Sequence, residues 1–310
     1  MSMNQSVLIC DQVNPVLNEI LEKNGLQITY EPEITADQIL EKIENFEVII
    51  VRSRTKITKD MIEKANKCQI IARVGVGLDN IDQAAAKEKN IRVINAVEGA
   101  MNAVAELVIG LMLSLAREIP RADREVRNGN WIKKELMGTE LRGKYLGIVG
   151  LGNIGKRLGR LARALNMNII GYDVVPIDEE FSSEVGLMKA DLGTLLSSSD
   201  YVSLHVPLLD STKHLINAEK MSTMKNTSRI INTSRGGVID EEALYEFLKD
   251  GKLGGAALDV FEVEPATSNK LASLPNFIST PHMGAQTKEA QSLAANVIAE
   301  KIIQILRGVT

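Results

Sequence analysis

KYLGIVGLGNIG, residues 144–155, joins a strand-like run to a helix-like one through three glycines. Tyr145 to Val149 is a short apolar run suited to a buried parallel strand. Gly150, Gly152 and Gly155 then open a segment, beginning at Asn153, with helical periodicity at Ile154, Leu158, Leu161 and Leu165. A side chain at Gly150 would obstruct the tight turn, one at Gly152 would hold a pyrophosphate off the backbone, and one at Gly155 would wedge helix from strand. An anion would sit at the helix N-terminus, where unpaired N–H groups meet the positive end of the dipole. A second apolar run, Asn168 to Tyr172, ends at Asp173, 18 residues beyond Gly155. A carboxylate there accepts hydrogen bonds from a ribose diol and repels a 2′-phosphate, so the whole unit predicts a dinucleotide site that favours NAD over NADP. The competing reading, in which Asp173 caps a turn before Pro176, is outweighed by the combined context.

A length of 310 residues suggests about two domains. Hydrophobic content of 45% and charged content of 25% are ordinary for globular protein, so both can hold real cores. The net charge of −4 and the scattered lysines and arginines give no basic field for nucleic acid. Cys10 and Cys68 form no CxxC and no zinc-like spacing with histidine, which fits reduced thiols of a cytoplasmic protein and no metal site. The N-terminal MSMNQSVLIC has neither a basic region nor a long apolar one, so no secretion signal is expected. Ala103 to Ala116 is the most apolar long stretch, yet it contains Glu106 and is shorter than the roughly 20 residues a bilayer crossing needs. It is expected to be a buried helix, and no membrane association is expected.

Strand and helix patterns alternate from the start. Strands are expected at Val7 to Cys10, Gln27 to Tyr30, Val48 to Val51, Gln69 to Val74 and Ile91 to Asn95, with helices between, one opened by a Thr35/Gln38 capping box. Such alternation predicts a parallel sheet covered by helices on both faces. Arg52-Ser53-Arg54 and Arg73-Val74-Gly75-Val76-Gly77 follow two of these strands, at the carboxyl ends where α/β sheets bind ligands. Arginine there can grip a carboxylate or phosphate bidentately, or simply form a surface ion pair. From Gly99 to Ile119 a long helix, apolar nearly all round, is expected to be buried on every side, either joining two domains or lying in a subunit interface.

After Asp173 the region Val174 to Glu184 has no clear pattern. Strands resume at Leu187 to Lys189, Tyr201 to Val206, Arg229 to Asn232, Ala256 to Val260 and Phe277 to Ser279, and a long helix from Gln286 to Leu306 closes the chain. A hydride-accepting cofactor needs protein groups that orient it and handle the accompanying proton, and histidine is the usual proton carrier. There are three histidines. His214 lies in a polar turn; His205 ends a strand and could line a pocket or fill the core. His282 follows an X-Pro turn with a tightly set backbone. Asp259 and Glu264 near a strand end could hold a histidine in one tautomer, and Arg235 again follows a strand.

The runs SRGGVIDEEAL with Arg235, ALDVFEVEP with Asp259 and Glu264, and TPHMGA with His282, in this order after GLGNIG, resemble the NAD-dependent D-2-hydroxyacid dehydrogenases. The resemblance spans nearly the whole chain. LMGTELRGK before the cofactor strand and GAQTKEAQ after His282 are most similar to the D-3-phosphoglycerate dehydrogenases of that family, in a short form without a C-terminal regulatory domain. The resemblance implies two Rossmann-like domains with parallel sheets and a cleft between them: a discontinuous, flavodoxin-like substrate domain at 1–98 and 286–310, and an NAD-binding domain at 99–285. It implies a homodimer or higher homo-oligomer acting on a small 2-hydroxy acid. Arg235, Glu264 and His282 would be catalytic, Arg235 binding the substrate carboxylate, His282 carrying the proton and Glu264 holding His282. NAD would also be contacted by His205, Pro207, Thr212, Thr233, Ser234, Asp259 and Gly284. Substrate would be bound by Ser53, Arg54, Arg73, Val76, Gly77 and Asn102, with Lys133 from a neighbouring subunit, the cations Arg54, Arg73 and Lys133 suiting a phosphate. Two positions depart from the pattern: Glu98 puts a carboxylate in the expected loop 98–102, and Gln286 stands where relatives often carry serine.

Overall fold

The computed structural model describes residues 4–308. They form two compact units, one running to Met101 and resuming at Ala285, the other Asn102–Gly284. The first unit contains strands β1 (Ser6–Ile9), β2 (Gln27–Tyr30), β3 (Val48–Val51), β4 (Ile70–Arg73) and β5 (Arg92–Asn95). All pairings are parallel, in the order β2-β1-β3-β4-β5, which is the flavodoxin-like arrangement. Because side chains alternate along a strand, the two faces feed separate cores. Leu8, Ile49, Val51 and Ile71 pack on one side. Val7, Ile9, Val48, Ile50 and Ile70 pack on the other, against Ala295, Ile298, Ala299 and Ile302 of the closing helix Lys288–Leu306. That helix starts at Lys288, not Gln286, because the Thr287 hydroxyl caps it, accepting from the Ala290 N–H at 3.1 Å. Gly99, expected with the cofactor domain, packs in the first unit: a Cβ there would lie 2.8 Å from that of Ala294.

The second unit contains β6 (Tyr145–Val149), β7 (Asn168–Tyr172), β8 (Met188–Lys189), β9 (Tyr201–Leu204), β10 (Arg229–Asn232), β11 (Gly255–Leu258) and β12 (Phe277–Ser279). They form one parallel sheet in the order β12-β11-β10-β9-β6-β7-β8. The direction of winding reverses between β6 and β9, the switch point at which doubly wound sheets bind dinucleotides. Leu146 and Ile148 of β6 pack with Leu158 and Ala162 of the following helix, while Val149 faces the opposite core with Val202 and Leu204.

The long apolar helix runs Val97–Arg117, so residues 98–102, expected as a loop, are its first turns. The Glu98 carboxylate there pairs with Lys301 at 3.1 Å. By length and composition the helix could cross a bilayer, but half of its most apolar window is buried within the protein. Ala105, Val108, Leu111, Met112 and Leu115 are core residues. Contrary to burial on every side, Glu106, Gly110, Leu113 and Arg117 form an exposed stripe. Glu118, left-handed at φ 50°, breaks it from the next helix, Ile119–Arg127. The patternless region after Asp173 contains a helix, Glu179–Val185, capped by Asp178 and anchored by buried Phe181.

Candidate active site

At the end of β6 the chain turns sharply at Gly150, whose φ of 93° is left-handed and favours glycine. A Cβ on Gly155 would lie 2.1 Å from the Gly150 carbonyl oxygen, so the helix Asn153–Ala164 lies directly on the turn it follows. Nothing lies within 4 Å of the space a Gly152 Cβ would occupy. Among the described residues no side chain caps this helix, so the first N–H groups, from Asn153 and Ile154 onward, have no side-chain capping acceptor there. Asp173 closes the turn from the other side: one oxygen accepts from the Leu151 N–H at 2.6 Å, the other from the Val175 N–H at 3.1 Å.

Across the switch point, His205 accepts or donates one hydrogen bond through Nε2 to the Ser203 hydroxyl at 2.9 Å. The Thr212 hydroxyl folds the next loop by donating to the Pro207 carbonyl at 2.6 Å and accepting from the Leu209 N–H at 2.8 Å. Beyond β10 the Asn232 side chain shapes the turn that carries Arg235. Its Oδ1 accepts from the Ser234 N–H and hydroxyl at 3.0 and 2.7 Å, and its Nδ2 donates to the Arg235 carbonyl at 2.8 Å. The Thr233 hydroxyl in the same turn is buried and has no hydrogen-bond partner among the described residues.

His282 and Glu264 meet, Nδ1 to Oε2 at 2.8 Å, with about half of the imidazole exposed. The second Glu264 oxygen accepts from the Phe261 N–H at 3.1 Å. With Nδ1 engaged, Nε2 is the imidazole nitrogen left for proton transfer. His282 is left-handed at φ 51°, a conformation that costs a non-glycine residue about 1–3 kcal/mol and persists only when its surroundings impose it. Asp259 imposes it. Its carboxylate is fully buried and accepts from the Thr280 hydroxyl at 2.6 Å and from the Met283 and Gly284 N–H groups at 2.8 Å each. Its carbonyl takes the His282 N–H at 2.8 Å. Asp259, expected to touch the cofactor, therefore spends its carboxylate on the loop 280–284, and Gly284, also expected there, is buried beneath it.

In the first unit the expected anion-binding arginines differ from one another. Arg54, expected to grip substrate, donates to the carbonyls of Cys10, Pro32 and Ile34 at 2.6, 2.8 and 3.1 Å and pairs with Asp11 at 3.2 Å. Its guanidinium thus ties its loop to the segments that follow β1 and β2. Arg73 donates to the Arg52 carbonyl at 3.1 Å and to the Gly77 carbonyl, and is mostly buried. The Val76 carbonyl accepts from Asn95 Nδ2 at 2.5 Å, so the glycine-rich loop is fixed at two of its carbonyls. Ser53 is exposed. Arg52, a strand-end arginine outside the substrate set that the resemblance implies, donates one side-chain hydrogen bond among the described residues, to Gln286 Oε1 at 3.1 Å. In the second unit, Lys133 is exposed in the short turn Lys133–Glu135, and Asn102 is exposed on its helix.

Residues 109–284 match the family model for the D-isomer specific 2-hydroxyacid dehydrogenase, NAD binding domain. The chain belongs to the D-isomer specific 2-hydroxyacid dehydrogenases. Within this family of NAD-dependent oxidoreductases it is 46% identical, over 97% of its length, to a D-3-phosphoglycerate dehydrogenase of Methanocaldococcus jannaschii, of which it spans 57%. It is 47% identical to a hydroxypyruvate reductase of Thermotoga maritima, over 93% of both chains. Its fold matches a D-lactate dehydrogenase of Aquifex aeolicus complexed with NAD and lactic acid, at a TM-score of 0.86 and 30% identity over 98% and 96% of the two chains. The second unit fits NAD on its own geometry: an open cradle over Gly152, an uncapped helix start, the Asp173 carboxylate at the end of the next strand, and the buried Thr233 hydroxyl with no partner among the described residues.

Asn232 shapes the candidate site although it reads in the sequence only as the last residue of a strand; its position at the carboxyl end is the one signal for it. Arg52 is marked by the same strand-end position, but nothing in the sequence separates it from Arg54. His205 carries a pH consequence. Desolvation lowers its pKa from 6.5 to about 4. Between those values the unfolded chain binds a proton that the folded one refuses, so stability falls as pH drops from 6.5 to 4 and the loss is complete below that range. The full effect is on the order of 3 kcal/mol, at about 1.4 kcal/mol per pH unit, less whatever solvent reaches the ring. Urea unfolding at pH 7 and pH 4.5 should show a smaller acid-induced loss in His205→Asn than in wild type; equal losses would contradict the neutral His205.

Proposed function

We propose that this chain oxidises D-3-phosphoglycerate to 3-phosphohydroxypyruvate, the entry to L-serine synthesis, with Arg235, Glu264 and His282 as its catalytic residues. The observation that carries the reading is the His282–Glu264 pair at 2.8 Å, held by buried Asp259 next to a dinucleotide-binding sheet. NAD, when bound, supplies the hydride acceptor. His282 Nε2 takes the proton from the C2 hydroxyl, Glu264 stabilises the imidazolium through Nδ1, and Arg235 holds the carboxylate and polarises the C2 oxygen. In the reverse direction the same imidazolium returns its proton to the carbonyl oxygen.

The phosphate end is assigned to cations of the first unit and to Lys133 of a neighbouring subunit. Among the cations of the first unit Arg52 takes the part first given to Arg54, because its guanidinium retains donors that Arg54 has spent on carbonyls. The glycine-rich loop at Val76 and Gly77, with Ser53 and Asn102, completes the proposed substrate set. A second reading, reduction of hydroxypyruvate or a related unphosphorylated 2-oxo acid, is favoured by the similarity to the Thermotoga maritima hydroxypyruvate reductase, 47% identical. It uses the same catalytic residues and needs no phosphate cations.

NADH absorbance with D-3-phosphoglycerate and NAD, beside D-lactate, D-glycerate and the reverse reaction with hydroxypyruvate, separates the two. On the first reading Arg52→Ala raises KM for D-3-phosphoglycerate by roughly 10- to 100-fold, the loss of one charge-assisted contact of about 1.5–3 kcal/mol, and leaves hydroxypyruvate reduction within about twofold. Arg54→Ala instead lowers thermal stability without that substrate-selective loss. Equal effects of Arg52→Ala on both substrates would favour the second reading.

A further inference from the structure

The turn Phe261–Glu264, which carries Glu264, is gripped from two sides. On one side it lies against Gly236, the residue after Arg235: a Cβ there would come within 1.8 Å of the Phe261 carbonyl oxygen. On the other side it meets the start of the helix Glu241–Lys249. The Glu262 N–H donates to Glu241 Oε1 at 2.6 Å, and the Glu241 N–H donates back to Glu262 Oε1 at 3.3 Å. The second Glu241 oxygen accepts from Asn269 Nδ2 at 2.6 Å. This is the logic of a capping box, in which two backbone donors are satisfied reciprocally, but its partners lie 21 residues apart. The Glu262 carboxylate also meets His214 Nε2 at 3.1 Å, tying in the loop that follows Pro207.

We infer that Glu241 is a positioning residue of the active site: through the Glu262 backbone it fixes the turn that aims Glu264 at His282. The inference rests on the catalytic reading above. Glu241 is half-buried, and three carboxylates, Glu241, Glu262 and Glu264, gather at this turn. Burial first, and the Glu262 and Glu264 charges next, raise the Glu241 carboxyl above its ordinary range. The basic groups on the neighbouring carboxylates are His214 on Glu262, His282 on Glu264 and Lys270 on Glu242. A carboxylate in this position does what a glutamine cannot: both of its oxygens accept, one from the Glu262 backbone and one from Asn269.

The test is the pH profile of kcat for the wild-type enzyme and for Glu241→Gln, Glu241→Ala and Glu242→Gln, on whichever 2-hydroxy acid the wild type oxidises best. NADH affinity by fluorescence and thermal stability are measured alongside. Glu241→Gln should lower kcat about tenfold, with KM and NADH affinity within about twofold. It should also move the acidic limb of the profile to lower pH by about half a unit, since a Glu264 held less firmly against Nδ1 offsets the imidazolium charge less. Glu241→Ala should do both more strongly, and Glu242→Gln neither. Wild-type kcat and limb in Glu241→Gln would overturn the inference, as would a loss of kcat that only follows lost stability and NADH binding. If His282→Ala itself turned over normally, the catalytic reading would fail instead; an inactive His282→Ala beside a normal Glu241→Gln rejects the Glu241 role alone.

Discussion

His282→Ala should lose roughly 10²–10⁴-fold in kcat, the usual contribution of a positioned general acid–base group, while NADH fluorescence titration returns near wild-type affinity. The split between turnover and binding follows from where the residues stand. The cofactor cradle is built at the β6 turn and Asp173, whereas the imidazole and its carboxylate partner stand on the turns after β11 and β12. Arg235→Ala should cost at least 10²–10³-fold, by analogy with the removal of one charged oxyanion donor, and should fall on kcat/KM for the acid. Glu264→Gln should fall between, because the amide can still meet Nδ1 but no longer offsets the imidazolium charge. Near-normal turnover in either alanine variant would remove the assignment of this pair as the catalytic centre.

The glycine turn gives the second large effect, in two separable forms. Gly155→Val must push the helix Asn153–Ala164 off the turn, since even its Cβ would lie 2.1 Å from the Gly150 oxygen and 3.3 Å from Ile148 Cγ2. Overpacking against backbone should cost about 3 kcal/mol, which for a unit of this size lowers Tm by roughly 10 °C, and NADH binding should be lost with it. Gly152→Ala meets no protein atom within 4 Å, so its Tm should stay within a degree or two of wild type. Its methyl group nevertheless points into the open cradle, and NADH affinity should fall at least tenfold as the pyrophosphate is held off the backbone. Unchanged NADH affinity in Gly152→Ala would mean that the phosphates lie elsewhere.

The order of elements around Gly150, Gly152, Gly155 and Asp173 was legible because each demand is local: a turn with positive φ, a close approach, a helix start, and an acid after the next strand. The alternation of four- to five-residue apolar runs with amphipathic helices likewise predicted two parallel sheets, because a strand covered on both faces has no polar side to show. Boundaries depended on contacts. Thr287 caps the closing helix so that it starts two residues later than the apolar pattern suggested, and Gly99 belongs to the first unit, packed against Ala294 too closely for a Cβ.

Among the site residues, strand ends and a rigid turn marked Arg235, Glu264 and His282 as candidates, and the family resemblance supplied the roles expected of them. What each polar side chain spends its hydrogen bonds on could not be read there. Arg52 and Arg54 look equivalent in the chain, yet Arg54 lies over three carbonyls and Asp11 while Arg52 keeps most of its donors. Asp259 turned from an expected cofactor contact into the buried anchor of the His282 loop, and Glu241 acquired a partner 21 residues away. The sequence alone determined the parallel α/β architecture, the dinucleotide turn and the family, since these rest on periodicity and short spacings. Only the tertiary structure decided which arginine is spent and which carboxylate anchors the His282 loop, because hydrogen-bond partners are allotted by chain segments that meet in space and not by neighbours in sequence.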